Sequence, residues 1–208
     1  MTVFAVVTWL WGWWAGLAAT ALVAGIDALT RWRKHEAVRT WRKGAAGERR
    51  TARMLRPLSR HGYTVLHDRA LPYGKANVDH LVIGPGGLFV VDTKNWDKRK
   101  RITRRGRRGY VRVGRTSGDK VVGSVIYEAG RVSETLSRTL KRPVEVAPVV
   151  AIHGAAVPLL RVMRVSGVPF LRASQVPGWI SRQNAVLSVA EVTELSAAAE
   201  KLFPPYVE

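Results

Sequence analysis

Two apolar runs of this chain carry acids where burial would be costly. In Asn77-Val78-Asp79-His80-Leu81-Val82-Ile83 the acid is Asp79, and in Leu88-Phe89-Val90-Val91-Asp92-Thr93-Lys94 it is Asp92, two residues before Lys94. Side chains alternate along a strand, so Asp92 and Lys94 share a face, and a hairpin partner can bring Asp79 beside them. Two carboxylates and an ammonium would then converge. A carboxylate pair suits Mg²⁺ or Mn²⁺, hard cations that take oxygen ligands, keep several waters and can activate water against a phosphate. Lys94 could orient or deprotonate that water, or stabilise the charge that develops on the phosphorane. Upstream, Gly44-Ala45-Ala46-Gly47-Glu48 places Glu48 on an expected helix beside the hairpin, where it could complete the metal shell. The chemistry that this set suits is metal-dependent phosphodiester cleavage, with Asp79, Asp92 and Glu48 as metal ligands.

Each member also has an ordinary explanation. Acids at strand ends often cap turns or pair with arginine, an isolated lysine is more often a solvated or snorkelling side chain, and a glutamate near a helix N-terminus is mildly favourable anyway. The combination carries the reading. His80 falls on the opposite strand face from Asp79 and is expected to be a satisfied core or interface histidine. Asn77 shares the Asp79 face and is placed to orient it. The chain has no cysteine, which removes disulfides, thiolate zinc sites and cysteine nucleophiles. It has no Ser-His-Asp order, P-loop or His-rich zinc spacing, so acyl transfer, nucleotide hydrolysis and zinc chemistry are disfavoured.

The elements that must position these groups are legible in outline. Residues 36–58 read as a helix bounded by Pro57, Tyr63–Leu71 as a strand, and Val78–Ile83 with Leu88–Lys94 as an antiparallel hairpin closed by Gly84-Pro85-Gly86-Gly87. Residues 97–115 contain ten Lys or Arg against one Asp and predict a basic hairpin or loop. Ser124–Leu140 reads as a helix, Val144–Ile152 as a buried strand and Val168–Leu171 as a short strand. Ser188 with Glu191 is a capping-box pattern that opens a last helix to about Leu202, ended by Pro204-Pro205. This order predicts an α/β domain around a central mixed sheet.

The first thirty residues differ from the rest. Val3–Ile26 holds 24 residues without a charge, a helix of roughly 36 Å at about 1.5 Å per residue, enough to cross a bilayer. Arg31, Arg33, Lys34, Arg39, Arg42 and Lys43 follow against one Glu36, and nothing basic precedes the run. The expectation is a single-pass anchor with the soluble domain facing the cytoplasm. A cleaved signal peptide wants a basic leading region and a shorter apolar stretch, and a buried core helix is the other alternative. The division expected is 1–30 anchor, 31–43 basic juxtamembrane segment, 44–152 core, and 153–208 strand and helices completing the domain.

A net charge of +19 over 208 residues exceeds what solubility needs and points to an extended polyanion. Nucleic acid and an anionic membrane surface both qualify. The juxtamembrane cluster suits lipid headgroups. Arg99, Arg101, Arg104, Arg105, Arg107 and Arg108 follow directly on Lys94 and suit a nucleic-acid backbone bound mainly by charge. Tyr110 is the one aromatic in that run, so base stacking has little support.

The pattern GAAGE, then NVDHLVIGPGGLFVVDTKNW, resembles the nuclease-related domain (NERD) family, a branch of the PD-(D/E)XK nuclease superfamily, over about residues 44–152. The resemblance implies a restriction-endonuclease-like core with a central mixed sheet flanked by helices, here preceded by one transmembrane helix. It carries Glu48 over as the helix acid, Asp79 as the central metal ligand, and Asp92 with Lys94 as the acid-x-Lys pair. It also implies Mg²⁺ or Mn²⁺ as cofactor and nucleic acid, DNA before RNA, as substrate. The acid before Lys94 is Asp92 where the family more often has Glu, and the helix at 124–136 lacks the usual Gln. A non-catalytic membrane-tethered nucleic-acid-binding or scaffold module of the same fold is the alternative, and a lipid-surface protein a third possibility.

Overall fold

A computed structural model of the chain describes residues 12–72, 74, 76–99, 102–105, 110–113, 116–157 and 162–207, with backbone alone at 37, 40, 103–105, 110–113 and 116. Two compact units divide it, one up to Lys43 and one from Gly44 to Glu208. The first helix, α1, spans Trp13–Leu55. The sequence predicts two helices, an apolar one over 3–26 and another over 36–58, but nothing between Trp13 and Leu55 separates them. Glycine is the weakest residue there, and it costs only about 1 kcal/mol in a helix. In the first unit Trp13, Trp14, Leu22, Val23 and Ile26 are all exposed. By length and composition the apolar part of this helix is sufficient to cross a membrane.

The second unit is built on a six-stranded sheet. Its strands are β1 (Thr64–Ala70), β2 (Asn77–Gly84), β3 (Gly87–Asn95), β7 (Val146–His153), β8 (Met163–Val165) and β9 (Val168–Arg172), in the order β1-β2-β3-β7-β9-β8. The pairs β1/β2, β2/β3 and β8/β9 are antiparallel, whereas β3/β7 and β7/β9 are parallel, so the sheet is mixed as expected. A parallel neighbour needs a crossover. Helix α2 (Gly118–Leu140) provides it between β3 and β7. Between β3 and α2 lie β4 (Ile102–Arg105), β5 (Tyr110–Val113) and β6 (Thr116–Ser117), a separate three-stranded antiparallel sheet where a basic hairpin or loop is predicted. Helix α3 is Val176–Ile180 and α4 is Val189–Leu202. The Ser188–Glu191 capping box opens α4 as expected.

Two further boundaries differ from the sequence reading. α2 starts at Gly118 rather than Ser124, because the Ser117 hydroxyl accepts the Asp119 N–H at 3.2 Å and caps the helix a turn and a half earlier. β8 escapes notice because three residues with one buried side chain present no period.

Each face of the sheet is buried. Leu81, Ile83, Leu88, Val90, Val150 and Ile152 pack with Val122, Val125, Ala129, Val132 and Leu136 of α2. On the other face Val82, Phe89, Val91, Val149 and Ala151 pack with Leu55, Leu58, Val176 and Ile180. The β2–β3 turn is locked by Tyr63. A Cβ at Gly84 would stand 2.0 Å from the Tyr63 ring, and the Tyr63 hydroxyl accepts the Gly86 N–H at 3.2 Å.

Candidate active site

The register of the β2–β3 hairpin decides where the acids go. Gly84 pairs with Gly87 and the ladder continues to His80 opposite Val91. One more step would set Asp79 opposite Asp92, but the pairing stops at His80. Instead the Thr93 N–H donates to Asp79 Oδ2 at 2.7 Å, so a side-chain oxygen takes the place of a ladder carbonyl. By alternation Asp79 shares the face of Leu81 and Ile83, and Asp92 that of Leu88 and Val90, the face covered by α2.

Asp92 is only 3 % exposed. The Lys94 ammonium donates to its Oδ1 at 2.6 Å, while the other oxygen, Oδ2, is buried with no hydrogen-bond partner. Leaving one lone-pair set of a buried carboxylate unpaired costs energy. Burial pushes Asp92 above the usual carboxylate range despite the opposing pull of Lys94. Burial, and then the charge of Asp92, push Asp79 well above it, against the Thr93 hydrogen bond. For Lys94, burial alone would lower the pKa, but Asp92, Asp79 and Glu128 together hold it above the ordinary lysine value.

Glu48 reaches this neighbourhood from α1. A Cβ at Gly47 would lie 2.7 Å from Asn95 Cβ, so only glycine lets the helix approach the end of β3 so closely. Burial and then Asp68 raise Glu48, with Asp92 adding to them and Lys94 opposing. Asn77 does not orient Asp79; its amide donates to Asp68 Oδ1 at 2.8 Å on the edge strand β1. Asp68 itself has a left-handed backbone, φ 48°.

Sequence reading missed Glu128. It lies on α2 beside the buried stripe of Val125, Ala129 and Val132, half-buried, with Oε1 accepting the Ser124 hydroxyl at 2.9 Å. Burial, and next Asp92, push its pKa up to about 7. Its signal was positional, since residue 128 sits three after Val125 and four before Val132 and so borders the core face. Glu48, Asp79, Asp92 and Glu128 thus share a region with the single ammonium of Lys94. Among the described residues, no three His, Asp or Glu side chains form a ready-made metal cage. Of the six arginines expected to bind nucleic acid, Arg99 is described, and its N–H donates to Asp97 at 2.8 Å. Arg101, Arg107, Arg108 and the side chains of Arg104 and Arg105 lie outside the described residues.

His80 is as expected a core histidine, 2 % exposed. It belongs to a neutral chain on the opposite face. The Thr93 hydroxyl donates to Thr51 Oγ1 at 3.1 Å, and the Thr51 hydroxyl to the Gly47 carbonyl at 3.3 Å. His80 Nε2 lies 3.3 Å from Thr93 Oγ1, and His153 Nε2 lies 2.9 Å from Thr51 Oγ1. With both hydroxyl protons committed, each of these imidazole nitrogens must be a donor. His80 Nδ1 is then an acceptor, which fixes His67 Nδ1, 2.9 Å away, as the donor to it.

This fold and acid set are accompanied by a family match. The nuclease-related domain family matches residues 43–153, more than half of the chain, and the chain belongs to that family. Glu48, Asp79, Asp92, Lys94 and Glu128 all fall within the matched residues. A Bacillus anthracis relative, described as an uncharacterized protein, is 45 % identical over 58 residues, 26 % of this chain and 27 % of that one. The chain therefore spans about a quarter of the length of that curated relative. No solved structure matches.

Proposed function

We propose that this chain is a membrane-anchored nuclease that hydrolyses phosphodiester bonds of nucleic acid with Mg²⁺ or Mn²⁺, on a restriction-endonuclease-like core. The observation that carries the reading is Asp92: a buried carboxylate bonded to Lys94 on one oxygen, unpartnered on the other, and set beside Asp79. The donor set fits a hard divalent cation, which commonly uses one or two carboxylates and keeps the rest of its shell as water. Asp79 and Asp92 would hold it, with Glu48 nearby. A bound divalent cation supplies polarisation of the phosphate and acidification of water.

The chain's own groups do the rest. Lys94 keeps its proton and faces the phosphate as a fixed positive charge, most useful as charge builds on the phosphorane oxygens. The Thr93 N–H holds Asp79 in place. Glu128, poised near neutrality, can accept a proton from the attacking water or return one to the departing oxygen. One P–O bond forms from water and another breaks, leaving a phosphate monoester and a hydroxyl. Arg99, Arg101, Arg104, Arg105, Arg107 and Arg108 bind the backbone by charge, DNA before RNA. The exposed apolar side chains between Trp13 and Ile26 face lipid, and the basic residues after them keep the domain on the cytoplasmic side against an anionic surface.

A second reading, a tethered nucleic-acid-binding module without catalysis, is favoured by the lack of a three-group metal cage among the described residues. Cleavage of labelled DNA and RNA by the full chain in detergent, with Mg²⁺ or Mn²⁺, separates the two. Metal-dependent cleavage lost in both Asp79→Ala and Lys94→Ala supports the enzyme. Salt-sensitive binding without cleavage supports the module.

A further inference from the structure

A second concave site lies on the other side of the sheet edge, away from the acids. It is a cavity of about 470 Å³ lined by Arg53, Arg56, Ser59, Arg60, Val65 and His67 among others. That volume is in the range of small-molecule sites. Arg53 closes α1, and Arg56 and Arg60 follow on the 3₁₀ turn Arg56–His61, so spacings of three and four residues bring the guanidiniums to one side. No acid lines the cavity, and none of the three arginines is in an ion pair among the described residues. Like charges so placed repel one another unless an anion sits between them.

We propose that this cavity binds a phosphate monoester, free or carried by a nucleotide, through Arg53, Arg56, Arg60 and His67. Guanidinium forks match phosphate oxygens two at a time, and three of them suit a dianion better than a lone carboxylate. His67 contributes a defined edge. The neutral chain fixes its Nδ1 as the donor to His80, so Nε2 is the nitrogen left without a proton and able to take one up beside an anion. The room beyond one phosphate, bordered by Val65, accommodates part of a nucleoside. This site is independent of the cleavage chemistry, and its test does not need an active enzyme.

The test is titration calorimetry of the full chain in detergent micelles with inorganic phosphate and, separately, adenosine monophosphate. Saturable binding of phosphate alone assigns the free anion, and tighter binding of the nucleotide assigns the carried one; either supports the site. Arg56→Gln with Arg60→Gln should weaken binding by roughly tenfold or more, the loss expected for charged hydrogen bonds. Arg56→Lys with Arg60→Lys should also weaken it, because the charge stays but the fork is lost. Thermal unfolding confirms that both variants, at exposed positions, remain folded. No saturable binding of either probe, binding unchanged in the Gln pair, or full binding in the Lys pair would each overturn the proposal, the last by reducing it to general charge attraction.

Discussion

The two faces of strands β2 and β3 treat buried polar groups in opposite ways. On one face Thr51, His80 and Thr93 form a neutral chain in which every proton has an acceptor and each ring nitrogen used has a defined role. On the other, one residue away along the same strands, Asp79 and Asp92 are pushed up by burial, and Asp92 keeps an unpartnered oxygen beside a single ammonium. A stable core can be made the first way, and a fold selected for stability alone has no use for the second. Undercompensated charge held in a well-packed sheet is the feature on which the proposed function rests.

Substitutions should therefore have crossed effects. The largest is expected at Asp79→Asn: cleavage falls by about 10³-fold or more in a turnover assay, while the unfolding free energy holds or rises by about 1 kcal/mol because a buried charge is gone. A large loss of stability there would erase the distinction between the faces. Thr93→Val should do the reverse. His80 loses its acceptor and Thr51 its donor, costing about 1–3 kcal/mol in denaturant unfolding, whereas cleavage drops by less than about tenfold, since the backbone N–H that holds Asp79 remains.

Acid and base titrations sharpen the contrast. Glu128 has a folded pKa raised to about 7 from 4.5, so the folded state holds a proton that the unfolded chain has released. Its stabilising contribution is full below 4.5 and is lost as pH rises through about 7. His80 has a folded pKa lowered to about 3 from 6.5, so its contribution is full above 6.5 and is lost as pH falls towards 3. Without divalent cations, Glu128→Gln should reduce the loss on the alkaline side, and His80→Asn the loss on the acid side, in unfolding measured across pH 3–8. The smallest effect is expected at Asn77→Ala, where an exposed bond to Asp68 disappears: about 0.5 kcal/mol or less and unchanged cleavage, because the Asn77 amide bonds Asp68 rather than Asp79.

The sequence disclosed the acid face more readily than the neutral one. Asp79, Asp92 and Lys94 stand out because charged residues interrupt apolar runs, and strand alternation then places them without further knowledge. His80 could be assigned to the core by the same alternation, but its partners could not. Thr51 lies 42 residues from Thr93 and His153 lies 102 from Thr51, and nothing local links residues on a helix and two strands. Glu128 was hidden by its helix, where an acid beside the apolar stripe reads as solvated until the strands underneath are known to carry Asp92. The length of α1 was obscured differently, by a change in composition from apolar to basic that does not change its backbone.

On the proposed function the charge on the acid face is a receptor for a divalent cation, and the most direct test is thermal unfolding of the full chain at pH 7 with increasing Mg²⁺, beside Asp92→Asn. Binding to the folded state alone stabilises it, by about 2.7 kcal/mol at a hundredfold excess over Kd, so the wild-type midpoint should climb by several degrees and that of Asp92→Asn should stay nearly fixed. A wild-type midpoint that does not move, or equal shifts in both proteins, would contradict the claim.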